Sequence, residues 1–173
     1  MFPNDFKELL FAFNNRNVKY LVIGGYAVMI HSQPRATKDL DVLLGPGIEN
    51  AEAAYAALAD FGAPLEGLRP TDLIEPDTFF RMGTPPLMVD ILFGIKGVDF
   101  DSAWERRMEI DVDNRKVSII SSDDLIQSKL AAGRPMDLLD VDAIRQTQQL
   151  QEIQIEPELE QEREQENERD RGR

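Results

Sequence analysis

Three aspartates and a pair of glycines carry the chemistry this chain offers. Asp39 and Asp41 stand two apart in Asp39-Leu40-Asp41-Val42, where acidic and apolar residues alternate. Side chains on a strand alternate between faces, so both carboxylates share one face while Leu40 and Val42 point into the core. Two carboxylates on one face repel unless a cation lies between them, and such hard oxygen ligands suit Mg²⁺. Asp90 lies inside the apolar run Leu87-Met88-Val89-Asp90-Ile91-Leu92-Phe93, where an unpaired carboxylate is costly to bury. A shared metal is the simplest compensation; an edge strand that turns Asp90 to water is the alternative. Upstream, the run Val18 to Ile23 stops at Gly24-Gly25, where no Cβ keeps a ligand from the backbone. If Tyr26 opens a helix, unpaired N–H groups and the positive dipole end face the same space and favour phosphate. A phosphate cradle and a divalent-metal site thus lie within reach of each other.

These groups need a framework to hold them. Val18 to Ile23 reads as a buried strand, Tyr26 to His31 as one or two helical turns, and Ser32 to Lys38 as a polar loop leading to the aspartate strand. Before them, residues 3 to 17 form a first helix with Phe6, Leu9, Leu10 and Phe13 on one face and Asn4 or Asp5 as its cap. After them, Gly45-Pro46-Gly47 is a turn. Ile48 to Phe61 has a helical apolar face, and Gly62 sits at its C-cap. Residues 63 to 78 read as a loop. Phe79 to Met82 and Leu87 to Phe93, joined through Gly83-Thr84-Pro85-Pro86, read as an antiparallel hairpin carrying Asp90. Phe100 to Met108 is a short helix around a core Trp104, and Glu109 to Val112 with Lys116 to Ile120 is a second hairpin turning at Asp113-Asn114. Ser121 or Ser122 then caps a helix over Asp123 to Ala132, Gly133-Arg134-Pro135 interrupts, and Met136 to Gln149 is a last helix. His31, the only histidine, fits a satisfied structural group better than a catalyst, and Lys38 fits a surface charge. The fold expected is α/β (α+β): a small mixed, twisted sheet carrying the carboxylates and flanked by helices.

Composition narrows the class. A chain of 173 residues supports one domain with a real core. Cysteine is absent, so disulfides and thiolate metal sites are excluded. With neither a leader pattern nor an apolar run of membrane-spanning length, a cytoplasmic protein with no membrane partner is expected. The net charge is −13; residues 151–173 hold nine acidic and four basic residues, which leaves −8 for residues 1–150. Such a body lacks the basic footprint of a protein that grips long nucleic acid, although a tRNA end reaching a local basic cleft stays open. Residues 1–150 are read as the catalytic domain and residues 151–173 as an acidic Glu/Gln/Arg-rich tail, flexible or a solvated helix.

Ile23-Gly24-Gly25, the spacer Tyr26 to Lys38, Asp39-Leu40-Asp41-Val42, and then Val89-Asp90-Ile91 together resemble the signature of the polymerase-β-type nucleotidyltransferase superfamily. Arg35-Ala36-Thr37-Lys38-Asp39-Leu40-Asp41 resembles an Arg-x-Thr-x-Asp-x-Asp pattern of its minimal, abortive-infection-type branch. The resemblance covers about residues 18 to 145 and implies a function: Mg²⁺-dependent transfer of a nucleoside monophosphate from an NTP to an acceptor hydroxyl. Asp39 and Asp41 would hold two Mg²⁺ ions, with Asp90 at the ion beside the acceptor. Gly24, Gly25 and the helix from Tyr26 would cradle the β- and γ-phosphates. Arg35 and Thr37 are further nucleotide-binding candidates, although Arg35 is as well explained by a salt bridge. Lys129 either neutralises triphosphate charge or pairs with Asp137 or Asp140 to pin two helices. Gly25 stands where many relatives carry Ser, which removes one hydroxyl from the phosphate site. The acceptor is left open among a tRNA end, a protein and a small molecule. The alternative is a catalytically silent binding or regulatory protein, a toxin–antitoxin-like partner that contacts a protein through its tail. A dinucleotide-binding fold fares poorly, because no third glycine follows at the required spacing.

Overall fold

The computed structural model describes residues 2–34, 36–75 and 78–171, with side chains up to residue 154. Elements run α1 (Asn4–Asn15), β1 (Tyr20–Ile23), α2 (Gly24–His31), β2 (Leu40–Leu44), α3 (Ile48–Phe61), a 3₁₀ turn (Pro70–Ile74), β3 (Phe79–Thr84) and β4 (Leu87–Leu92). They continue with α4 (Phe100–Glu105), β5 (Met108–Val112), β6 (Arg115–Ile119), α5 (Ser122–Ala132) and α6 (Pro135–Arg171). The strands form one mixed sheet of six, in the order β3-β4-β2-β1-β6-β5. β1 runs antiparallel to β2 and parallel to β6, β2 runs parallel to β4, and two hairpins supply the outer pairs.

Burial explains why these segments form where they do. β1 is buried along its whole length, as a continuous apolar run at the centre of a covered sheet should be. The apolar face of α1 buries Phe6, Leu9, Leu10 and Phe13 and packs on α3. α3 ends at Gly62, which takes the left-handed conformation of a helix C-cap. Asp113 and Asn114 both have positive φ, as the tight turn between β5 and β6 requires. Ser121 caps α5 by accepting a hydrogen bond from the Asp124 N–H. α5 packs on α6, and both touch α2.

Four expectations are corrected. Pro3, rather than Asn4 or Asp5, stands at the α1 N-cap. α2 begins at Gly24, two residues before Tyr26, so both glycines belong to its first turn. Trp104 is half-buried rather than core: Arg107 stacks 3.9 Å from its ring centroid, and Lys19 lies 5.9 Å away. α6 continues through the tail to Arg171 instead of stopping near Gln149. Among the described residues, no helix is long and apolar enough to cross a membrane.

Candidate active site

One row across the sheet builds the site. Register aligns Ile23 of β1 with Asp41 of β2, Asp41 with Asp90 of β4, and Asp90 with Arg81 of β3. Partners in register on neighbouring strands project to the same face, so Asp41, Asp90 and Arg81 come together from three strands. Asp39, one residue ahead of β2, adds its charge to the group. β4 is an interior strand, which removes the water-facing alternative for Asp90. Its compensating partner is Arg81, whose Nε and Nη2 donate to the two carboxylate oxygens at 2.6 and 2.5 Å.

Directly after Ile23 the chain turns into α2, and the Gly25 N–H donates to the Asp41 carboxylate. Gly24 makes this approach possible. It has φ of 59°, and a Cβ built on it would lie 2.6 Å from Asp41 Cγ and 2.8 Å from Asp41 Cβ. No other residue fits between the strand and the helix.

Burial pushes the Asp41 pKa up from 3.8 to about 6; the charge on Asp90 adds to this, as does that on Asp39, while the Gly25 N–H and Lys129 oppose it. A divalent cation would relieve the same crowding, and an all-carboxylate donor set is the kind Mg²⁺ takes. In donor chemistry the three aspartates therefore suit Mg²⁺. Among the described residues, however, no three acidic or histidine side chains already converge as a ligand set, and Asp90 directs both oxygens to Arg81.

The raised pKa has a consequence for stability. A carboxyl whose folded pKa exceeds its unfolded one favours folding when protonated. That contribution is full below pH 3.8 and is lost as pH rises through about 6. Two units correspond to about 3 kcal/mol of strain at neutral pH. Asp41→Asn should therefore raise the melting temperature of the EDTA-treated protein by about 6–12 °C at pH 7.5. The gain should shrink towards zero near pH 4. Thermal melts at the two pH values check this, and an unchanged or lower melting temperature at pH 7.5 would refute it.

A cleft of about 570 Å³ opens over Gly24, Gly25 and Asp41, walled by Phe79 and Lys96 on one side and by Lys129, Arg134 and Met136 on the other. Residues 4–165 of the chain match the family described as nucleotidyltransferase of unknown function (DUF6036). The chain belongs to this family. Among curated proteins none matches it in sequence. Solved nucleotidyltransferase structures share its fold. The lincosamide antibiotic adenylyltransferase LnuA, with lincomycin bound, is 17% identical with a TM-score of 0.53, over 84% of this chain and 97% of that one. ANT(2″)-Ia, in complex with adenylyl-2″-tobramycin, is 15% identical with a TM-score of 0.54, over 87% of this chain and 91% of that one.

Within this nucleotidyltransferase, the remaining candidates fall in different places. Gly24, Gly25, Asp41 and Lys129 line the cleft. Lys129 is almost fully buried, and its Nζ donates to Asp140 at 2.7 Å and to Asp137 at 3.0 Å, pinning α5 to α6. The Tyr26 side chain lies in the core, stacked on Phe2 and edge-on to Phe6, and Tyr26 is not among the cleft residues. Thr37 donates its hydroxyl to the Asp39 carbonyl and is not among the cleft residues. Arg35 lies outside the described residues. His31 Nε2 bonds the Ile120 carbonyl at 2.7 Å and serves structure; Lys38 is exposed.

Sequence reasoning missed Arg81, and with it the cleft walls Phe79 and Lys96. For Arg81 a signal existed. Once the hairpin pairs Thr84 with Leu87 across the Pro85-Pro86 turn, Arg81 must face Asp90.

Proposed function

We propose that this chain transfers a nucleoside monophosphate from an NTP to the hydroxyl of an acceptor, with Mg²⁺ held by Asp39, Asp41 and Asp90. The observation that supports it most is the register that sets the Asp41 and Asp90 carboxylates side by side, with Asp41 against the glycine-started helix. Bound there, Mg²⁺ would neutralise phosphate charge and polarise the α-phosphate. The chain's own residues do the rest. The first-turn amides of α2 favour the β- and γ-phosphates. Lys96 and Arg134 on the cleft walls add positive charge. Phe79, 59% exposed at the rim, offers a flat apolar surface to a base or an acceptor ring. The acceptor oxygen bonds to the α-phosphorus, the α–β phosphoanhydride bond breaks, and pyrophosphate leaves. The proton lost by the hydroxyl passes to the carboxylate group.

A small hydroxylated molecule is the acceptor class we favour over a tRNA end or a protein. The cleft is compact and partly apolar, the body carries −8, and the fold neighbours include proteins bound to lincomycin and to adenylyl-2″-tobramycin. The second reading, a silent binder of the toxin–antitoxin kind with a protein partner, draws support from the Arg81–Asp90 pair, which takes up the third carboxylate.

Calorimetry of each Mg²⁺–NTP with the native chain and with the Asp39→Ala/Asp41→Ala double mutant separates the two. Micromolar, metal-dependent binding that the double mutant loses by at least about a hundredfold is expected, since two of three metal ligands are gone. A folded native chain that binds none of the four NTPs would hand the lead to the binder.

A further inference from the structure

Resting on the nucleotidyltransferase reading, we infer that Arg81 is a positioning residue that makes metal and nucleotide binding help each other. Its guanidinium takes both oxygens of Asp90 in a fork, the strongest geometry for an arginine–carboxylate pair. A cation that uses Asp90 competes for those same oxygens. Metal binding alone therefore carries the cost of breaking charge-assisted hydrogen bonds.

Which partner yields follows from placement. Asp90 sits on an interior strand with its side chain 13% exposed, whereas Arg81 sits on the outermost strand, β3, with 51% of its side chain exposed. The arginine is the one that can turn away. Once turned, it is a cation near a second cation, and it needs an anion. Phe79 stands two residues before Arg81, hence on the same face of β3, and the Arg81 guanidinium lies 5.8 Å from its ring centroid. Phe79 lines the cleft proposed for the nucleotide. A phosphate entering there offers Arg81 a replacement partner that binds the same fork. Nucleotide binding thereby frees Asp90 for the metal, and by linkage the metal strengthens nucleotide binding equally.

This role moves two affinities in opposite directions, which loss of structure would not do. The test uses the full chain as wild type, Arg81→Met and Arg81→Lys, with folding checked by circular dichroism. The probes are Mn²⁺ alone, followed by electron paramagnetic resonance of the free ion, and the non-hydrolysable form of whichever NTP the native chain binds, titrated at saturating Mn²⁺. Arg81→Met should bind Mn²⁺ alone about tenfold more tightly and the analogue about tenfold more weakly, within the usual range of site coupling. Arg81→Lys, which keeps the charge and loses the fork, should fall between on both measures. If Mn²⁺ binds the wild type and Arg81→Met binds it equally or less well, the inference is overturned while the metal reading stands. If Mn²⁺ binds none of the three folded proteins, the metal reading fails and the inference with it.

Discussion

Gly24→Ala should lower the melting temperature by about 4–20 °C and abolish metal-dependent nucleotide binding. Two effects add. A left-handed φ costs an L-residue about 1–2 kcal/mol, and Gly24 has φ of 59°. The new methyl would also overlap the Asp41 carboxylate, 2.6 Å from Cγ, and forced overpacking costs about 1–3 kcal/mol. Each kcal/mol moves the melting temperature of a chain this size by about 2–4 °C. Gly62→Ala separates the two effects. Gly62 also has positive φ, 86°, but a Cβ there meets nothing within 4 Å. It should lower the melting temperature by only about 2–8 °C and leave nucleotide binding intact. Equal losses in the two variants would mean that the close approach of α2 to Asp41 contributes nothing.

Lys129→Met should be the most destabilising change of a cleft side chain. Its ammonium is the shared partner of Asp137 and Asp140, and the Asp140 pair is buried. Removing one side of a buried ion pair strands the other and costs about 3–5 kcal/mol, here a drop of about 6–20 °C in melting temperature. The triple variant Lys129→Met/Asp137→Asn/Asp140→Asn should recover most of that loss, because the stranded charges go with the lysine. A single variant as stable as the native chain would show that the clamp does not hold α5 to α6.

Those clamp residues were legible from the sequence, and the reason they were shows what else was. Lys129 and the two aspartates lie on adjacent helices joined by Gly133, so their pairing is nearly local. The same holds for the apolar face of α1, the glycine end of α3 and the Ser121 cap. Each is decided within one element or one turn. Asp41 and Asp90 stood out because each is a carboxylate inside an apolar strand, and the register sets them side by side; Asp39 lies one residue ahead of β2, where strand alternation does not fix its face. The start of α2 was not. Glycine is a poor helix former, and Gly24 joins the helix because Asp41, on another strand, leaves room for nothing larger. Trp104 escaped too. Its ring stacks on Phe100 on the core side, but the guanidinium of Arg107 and the ammonium of Lys19 also lie over it, and long cationic side chains carry no periodic signal of such packing. Lys96 is a single charge in a loop, and only the assembled cleft shows what it faces.

The row Ile23–Asp41–Asp90–Arg81 also acts as a proofreading device for folding. Its members come from four strands, so it exists only when three pairings are all in step. A slip of one residue in β4 would point Asp90 into the core and Val89 or Ile91 at the arginine, a charge and a desolvation error at once. Competing registers are thereby penalised before any ligand arrives. Whatever binds the finished row binds the native pairing alone and deepens its advantage over every misaligned sheet.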